Sequence, residues 1–226
     1  MTQYVKTSFQ LKDQNGQALS GTGGQVYVAA AGDAAKVAIY DKDGVALTNA
    51  RALTAGGVQF HTVSTVTSVD LYIQAPGGQF LTKLAVPTGA YYDLVVDTSN
   101  KHQLFVIPFA IGDTTAATET DTGFNVPTSS QVLGRLSGCG LRVTTADAGQ
   151  TIVVGLLSTE SGGSANGFIT ATSTTSAVQL IGANGAFFST NAPHLADAVV
   201  AKSISYTLDA STNTAEGFIL LPVVME

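Results

Sequence analysis

Short apolar runs separated by turn-forming residues set the pattern of this chain. "GVQFHTVS", "SVDLYIQA", "QFLTKLAV", "YYDLVVD" and "KHQLFVIPFAI" are rich in β-branched and aromatic residues, and "PGG", "PTGA" and "DTSN" divide them at a spacing of about ten residues. The pattern resumes in "CGLRVTT", "QTIVVGLLST", "NGFITATS", "AVQLIGA", "GAFFST", "AVVAKSISYTLD" and "GFILLPVV". Runs of this length suit strands, so the expected fold class is all-β. Helix should be scarce: "TNAPHLADAVVAKS" has an amphipathic character, but its β-branched end allows one short turn at most.

Two echoes sharpen this picture. "DQNGQALSGTGGQVYV" from Asp13 and "DKDGVALTNARALTAGGVQF" from Asp41 each supply D-x-[ND]-G, then Ala-Leu, then a Gly-Gly pair leading into a β-rich run, at an offset of 28 residues. Asn-Gly and Asp-Gly tolerate positive φ at both turn positions, so the pair reads as tandem hairpins. Further on, "LLSTESGGSANGFITATS" and "SYTLDASTNTAEGFILLPVV" both run from an apolar strand through a polar loop into Gly-Phe-Ile, with Gly167 and Gly217 in equivalent places. These are expected to be two related hairpins. Between the halves, "GDTTAATETDTGFNVPTSS" is poor in large apolar residues and reads as an extended connector. The expected organisation is two β-sandwich or jelly-roll-like domains joined by that linker. Residues 1–112 form an N-terminal sandwich with tandem hairpins, 113–135 the linker or arm, and 136–226 a jelly-roll-like C-terminal sandwich.

Composition narrows the function classes. Among 226 residues, 45% are hydrophobic and only 12% charged, enough apolar material for packed cores. The net charge of −6 is uneven: basic and acidic residues balance through residue 103, whereas the remainder holds Arg135, Arg142 and Lys202 against nine acidic side chains. No basic patch is in place to neutralise phosphates, so nucleic-acid binding is not expected. Cys139 is the single cysteine and reads as a small buried thiol. The N-terminus "MTQYVKTSFQ" lacks the apolar core of a signal peptide, and no run approaches the length of a membrane span, so folding in a cytoplasm and no membrane contact are expected.

Chemistry-bearing motifs are sparse. Gly162-Gly163-Ser164-Ala165-Asn166 approaches a nucleophile elbow but lacks its final glycine and sits in a hairpin loop. His61, His102 and His194 are isolated along the chain. Asp41-Lys42-Asp43-Gly44 resembles the first half of a calcium loop without the third oxygen ligand or the closing Glu, and reads as a β-turn. "GTGGQV" lacks the last glycine of a dinucleotide fingerprint. Asp113, Glu119 and Asp121 are the best local set of carboxylates for glycoside chemistry, but no aromatic platform is near them and Trp is absent. Tyr91 and Tyr92 suit a strand with one ring in and one out, or an interface anchor, better than a sugar platform. No catalytic residue, cofactor site or metal site is assigned, and the chain is expected not to be an enzyme.

The segments "VYVAAAGDAAKVAIYDKDGVALTNARALTAGGVQFHT", "VDLYIQAPGGQFL", "TIVVGLLSTESGGSANGFITATS" and "SISYTLDASTNTAEGFILLPVV" resemble structural proteins of tailed bacteriophages, particularly capsid-associated decoration proteins. That resemblance implies a virion structural protein on the capsid surface, assembled in the host cytoplasm. It would bridge subunits of the major capsid protein as a homo-oligomer, a trimer or another small symmetric assembly, through multivalent contacts. A fibre or adhesin-like receptor-binding module is the alternative, with the Ser/Thr/Asn/Gly-rich loops 158–166 and 209–216 facing a host surface. A hydrolase with an unrecognised site is the third class.

Overall fold

The structure is a computed structural model that describes residues 2–21, 23–109, 118–128, 130–132, 140–147, 151–160, 163–174, 179–181, 202–209 and 214–225. The protein is all-β: every regular element among the described residues is a strand. The chain divides into two units, Met1–Asn100 and Lys101–Glu226. The expected helical turn in "TNAPHLADAVVAKS" lies outside the described residues except for Lys202 and Ser203, which open β17 (Lys202–Leu208), and Cys139, His194 and Asp113 lie outside them too.

The first unit contains β1 (Tyr4–Lys12), β2 (Gln25–Ala30), β3 (Ile39–Tyr40), β4 (Ala46–Leu47), β5 (Arg51–Ala52), β6 (Gly57–Val63), β7 (Ser68–Gln74), β8 (Phe80–Pro87) and β9 (Tyr91–Val95). They form two sheets, ordered β4-β3-β6-β1-β9 and β5-β2-β7-β8. Phe9, Leu11 and Phe60 from the first sheet share one buried cluster with Val26, Val28, Leu71 and Ile73 from the second. The unit is therefore a sandwich with a single core, as alternating apolar positions on both sheets require.

The 28-residue echo is reproduced bond for bond. Asp13 accepts from the backbone N–H of Asn15 and Gln17 through Oδ1, and Asp41 does the same for Asp43 and Val45, at 2.8–2.9 Å in all four cases. Backbone bonds Asp13 N to Gln17 O and Asp41 N to Val45 O close both loops. Gly16 and Gly44 sit at φ +79° and +81°, which only glycine adopts without strain. The second loop joins β3 to β4 as a true hairpin, with Ile39 opposite Leu47. The first closes on the isolated pair Lys12–Ala18. The Gly-Gly pairs matter for packing as well. Gly56, at φ +71°, lies against the Leu19 carbonyl, so a side chain there would meet backbone.

One edge of β2 changes partner midway. Gln25 and Val26 face Ala52 and Arg51 on β5, while Ala29 faces Lys36. The position that continues the β5 register opposite Val28 is Asn49, and there the side chain replaces the main chain. The Asn49 amide accepts from Val28 N–H at 2.9 Å and donates to Val28 O at 2.7 Å and Val37 O at 2.9 Å. The backbone meanwhile crosses between sheets, from β4 to β5. A second buried polar group, Asp70, ties the turn after β2 and the register shift in β8 to β7 by accepting from Gly32 N–H and Ala85 N–H.

The second unit contains β10 (His102–Phe109), β11 (Thr120–Val126), β12 (Ser130–Val132), β13 (Gly140–Thr145), β14 (Thr151–Leu156), β15 (Ser164–Ser173), β16 (Gln179–Ile181), β17 (Lys202–Leu208) and β18 (Glu216–Met225). One sheet runs β10-β18-β13-β16 with β12 also on β18; the other runs β11-β17-β14-β15. The rings of Phe109 and Tyr206, one from each sheet, lie 6.0 Å apart.

Three expectations are corrected here. The division falls after Asn100, not residue 112, because β10 pairs along its whole length with β18, from His102 opposite Val224 to Phe109 opposite Gly217. The expected linker 113–135 contains β11 and β12. In β11 the residues Thr122, Phe124 and Val126 turn inward, and the Thr122 hydroxyl donates to Ile204 O at 2.7 Å, so a Thr-rich segment forms an edge strand with one buried face. "SYTLDASTNTAEGFILLPVV" is not a hairpin: β17 lies between β11 and β14, and β18 between β10 and β13 in the other sheet. Both strands are buried on both faces and already have two neighbours, so the polar loop joins sheets instead of paired strands. The companion stretch does form a hairpin, β14 with β15.

The crossover predicts a contrast measurable by urea denaturation. Asn49→Ala should destabilise the protein by about 2 kcal/mol, because it leaves the buried Val28 N–H unpaired, while Val28 O keeps the bond from Val37 N–H. Thr62→Val should be neutral or stabilise by up to about 1 kcal/mol, because the Thr62 hydroxyl is buried with no partner.

Candidate functional site

Glu119 and Asp121, two of the three carboxylates singled out in the sequence, are clamps between strands. Glu119 precedes β11 and accepts from Ser158 N–H at 2.9 Å, from the Ser158 hydroxyl, and from the Ser205 hydroxyl at 2.6 Å. Asp121 accepts from the Ser203 hydroxyl and from Gly123 N–H at 2.8 Å, and Glu160 accepts from Ser203 N–H. Asp147 holds Thr214, and Asp209 holds Thr151, each through both the backbone N–H and the hydroxyl. This arrangement differs from a pair of carboxylates set apart across a cleft, because the oxygens face donors of neighbouring strands. Partial burial acts to raise the Glu119 pKa, but the bonds from Ser158 and Ser205 outweigh it and hold the carboxyl below its ordinary value of 4.5.

Other sequence candidates fall in separate places. Gly163 and Ser164 belong to the β14–β15 hairpin, with Ser164 opposite Leu156, instead of a strand-to-helix turn. His102 is exposed on β10 and His61 lies on β6. Among the described residues no three His, Cys, Asp or Glu side chains gather into a metal-binding group. Tyr91 is 60% exposed on β9, and its hydroxyl donates to Asp93 at 2.8 Å. Tyr92 packs against the core and donates to Pro87 O at 2.5 Å, so one ring is out and one is in. Asp93 also pairs with Lys12 at 2.7 Å; that bond, then the Tyr91 hydroxyl, keeps the Asp93 pKa below the usual carboxylate range.

A cleft of about 390 Å³ opens in the first unit where the β4-β3-β6 edge of one sheet meets β5 of the other. Asp41, Lys42, Arg51 and His61 line it together with the apolar Leu47 and Val58. Arg51 is placed by its register opposite Val26, and His61 by its register opposite Tyr40. Arg51 Nε and His61 Nδ1 are sealed from solvent without hydrogen-bond partners. Asp41 is held ionised by its two backbone donors, Val45 foremost. Lys42 pairs with Asp43 at 2.6 Å on the exposed rim. Along the chain Asp41 reads only as a turn residue and His61 only as an isolated histidine. Arg51 carried no signal, since its neighbours in space come from other strands.

The clamps predict the acid limb of stability. A carboxyl whose folded pKa lies below its unfolded value contributes stability above the unfolded pKa and loses it as pH falls through the folded one. Chemical denaturation should therefore show the wild type weakening as pH drops below about 4.5, and Glu119→Gln should be less stable at neutral pH with a shallower acid limb.

No protein-family model matches the chain, and no curated protein matches it. Two solved structures of the major pilin subunit of Bacillus cereus align with 99% of this chain and 59% of theirs, at 11% identity, with TM-scores of 0.22 and 0.20. The chain thus spans well under two thirds of the pilin, and at these scores the likeness carries no assignment of fold or function.

Proposed function

We propose that the chain is a non-enzymatic structural protein of a phage virion. It decorates or stabilises the capsid through multivalent contacts with neighbouring subunits of the major capsid protein, and it acts as a homo-oligomer. The observation that supports this reading is the use of the acidic side chains. Glu119, Asp121, Asp147, Glu160 and Asp209 all accept bonds that tie loops and strands together, which suits a rigid building block. A contact surface is available on β9, the last strand of its sheet, where Tyr91 and Val95 are 60% and 59% exposed. An open sheet edge beside an exposed aromatic offers both backbone pairing and an anchor.

The fibre or adhesin-like alternative, in which a loop or cleft receives a host ligand, draws on one observation, the Arg51 cleft. Mixing the purified full chain with undecorated capsid shells distinguishes the two. Decoration predicts co-sedimentation with the shells and a higher shell disruption temperature, with Tyr91→Ala weakening association by about tenfold or more. No association and no change in shell stability would contradict it.

A further inference from the structure

The cleft between the β3–β4 loop and β5 has the properties of an anion site. Lys42, Arg51 and Asp41 all line it; Lys42 is matched by Asp43 at the rim, which leaves Arg51 as the cation of the lining with no directly bonded partner. The Asp41 carboxylate is partly committed, because its Oδ1 already accepts from Asp43 and Val45 N–H. Lys42 is also engaged with Asp43, outside the cleft lining, on an exposed rim where such a pair contributes little.

The Arg51 side chain has no hydrogen bond or ion pair among the described residues, although its Nε is sealed from water. A partly desolvated guanidinium without a counter-charge is unfavourable, and a bound anion would relieve it. The sealed Nε leaves the two Nη groups as the donors that Arg51 can offer. His61 behaves in parallel: its Nδ1 is sealed without a partner, which leaves Nε2 for the cleft. Planar paired donors from an arginine match the two oxygens of a carboxylate. The apolar Leu47 and Val58 would lie against the carbon skeleton, and about 390 Å³ accommodates a molecule of roughly monosaccharide size.

We propose that this cleft binds a carboxylate group, received by the Arg51 Nη groups and His61 Nε2, with Lys42 supplying long-range attraction. The carboxylate could be carried by a sugar acid or by an acidic side chain of a polypeptide, and the chemistry at Arg51 is the same. The proposal is independent of whether the protein sits on a capsid.

The test is an NMR titration of the isotopically labelled full chain with glucuronate, with N-acetylglutamate amide, and with glucose as the uncharged control. Glucuronate or the glutamate derivative should shift the Arg51 side-chain and His61 ring signals saturably in the millimolar range, and whichever binds tighter identifies the source. Glucose should not. Arg51→Gln should weaken binding by at least about tenfold. Lys42→Gln, on the exposed rim, should keep the fold and weaken binding by only about two- to threefold while reducing its salt dependence. Saturation by glucose to the same extent, no saturation by either carboxylate, or unchanged affinity in a folded Arg51→Gln variant would each overturn the proposal.

Discussion

The first unit depends on how β2 is satisfied along one edge. A strand in the middle of a sandwich cannot leave its N–H and C=O groups bare, because no water reaches them to compensate. Here the neighbour changes from β5 to the segment around Lys36, and at the gap the main chain has already left for the other sheet. Asn49 fills that gap because a primary amide carries the same donor and acceptor pair as a peptide group. By closing the ladder with a side chain, the fold frees the backbone to cross between sheets. That crossing brings Arg51 on β5 beside the β3–β4 loop and His61, and so creates the cleft.

The strands and turns were legible in the sequence where the information is local. The D-x-[ND]-G loops are specified by an aspartate that caps its own turn and a glycine at positive φ, so the 28-residue echo translates directly into equivalent hydrogen bonds. Alternation in and out was equally clear for Tyr91 and Tyr92. What was hidden is long-range pairing. Nothing near β10 says that its partner is the C-terminal strand, so local pattern alone places it with the first unit. Similarly, the continuous apolar run "GFILLPVV" is a strand covered on both faces, a property of central strands that two-residue alternation does not describe. Threonine misled in the opposite direction: Thr122 is polar by composition, yet it is a buried β-branched residue in β11.

The candidate sites divide along the same line. Glu119 and Asp121, which stood out as chemistry, are structural, because each sits one strand away from a hydroxyl that needs an acceptor. Arg51, which did not stand out, carries a buried donor without a partner. A group's chemistry here follows from the partners supplied by other strands more than from its residue type. The bonded acidic side chains of the second unit thus serve cohesion, and the first unit holds the recess lined by Arg51.

The role of Asn49 can be read from a single amide. Native-state hydrogen exchange should find the Val28 N–H protected as strongly as the amides of the central strand β7, because the Asn49 side chain closes it as a strand would. Exchange of Val28 at the rate of an open loop, while β7 remains protected, would contradict the account of the crossover on which the sandwich and its cleft rest.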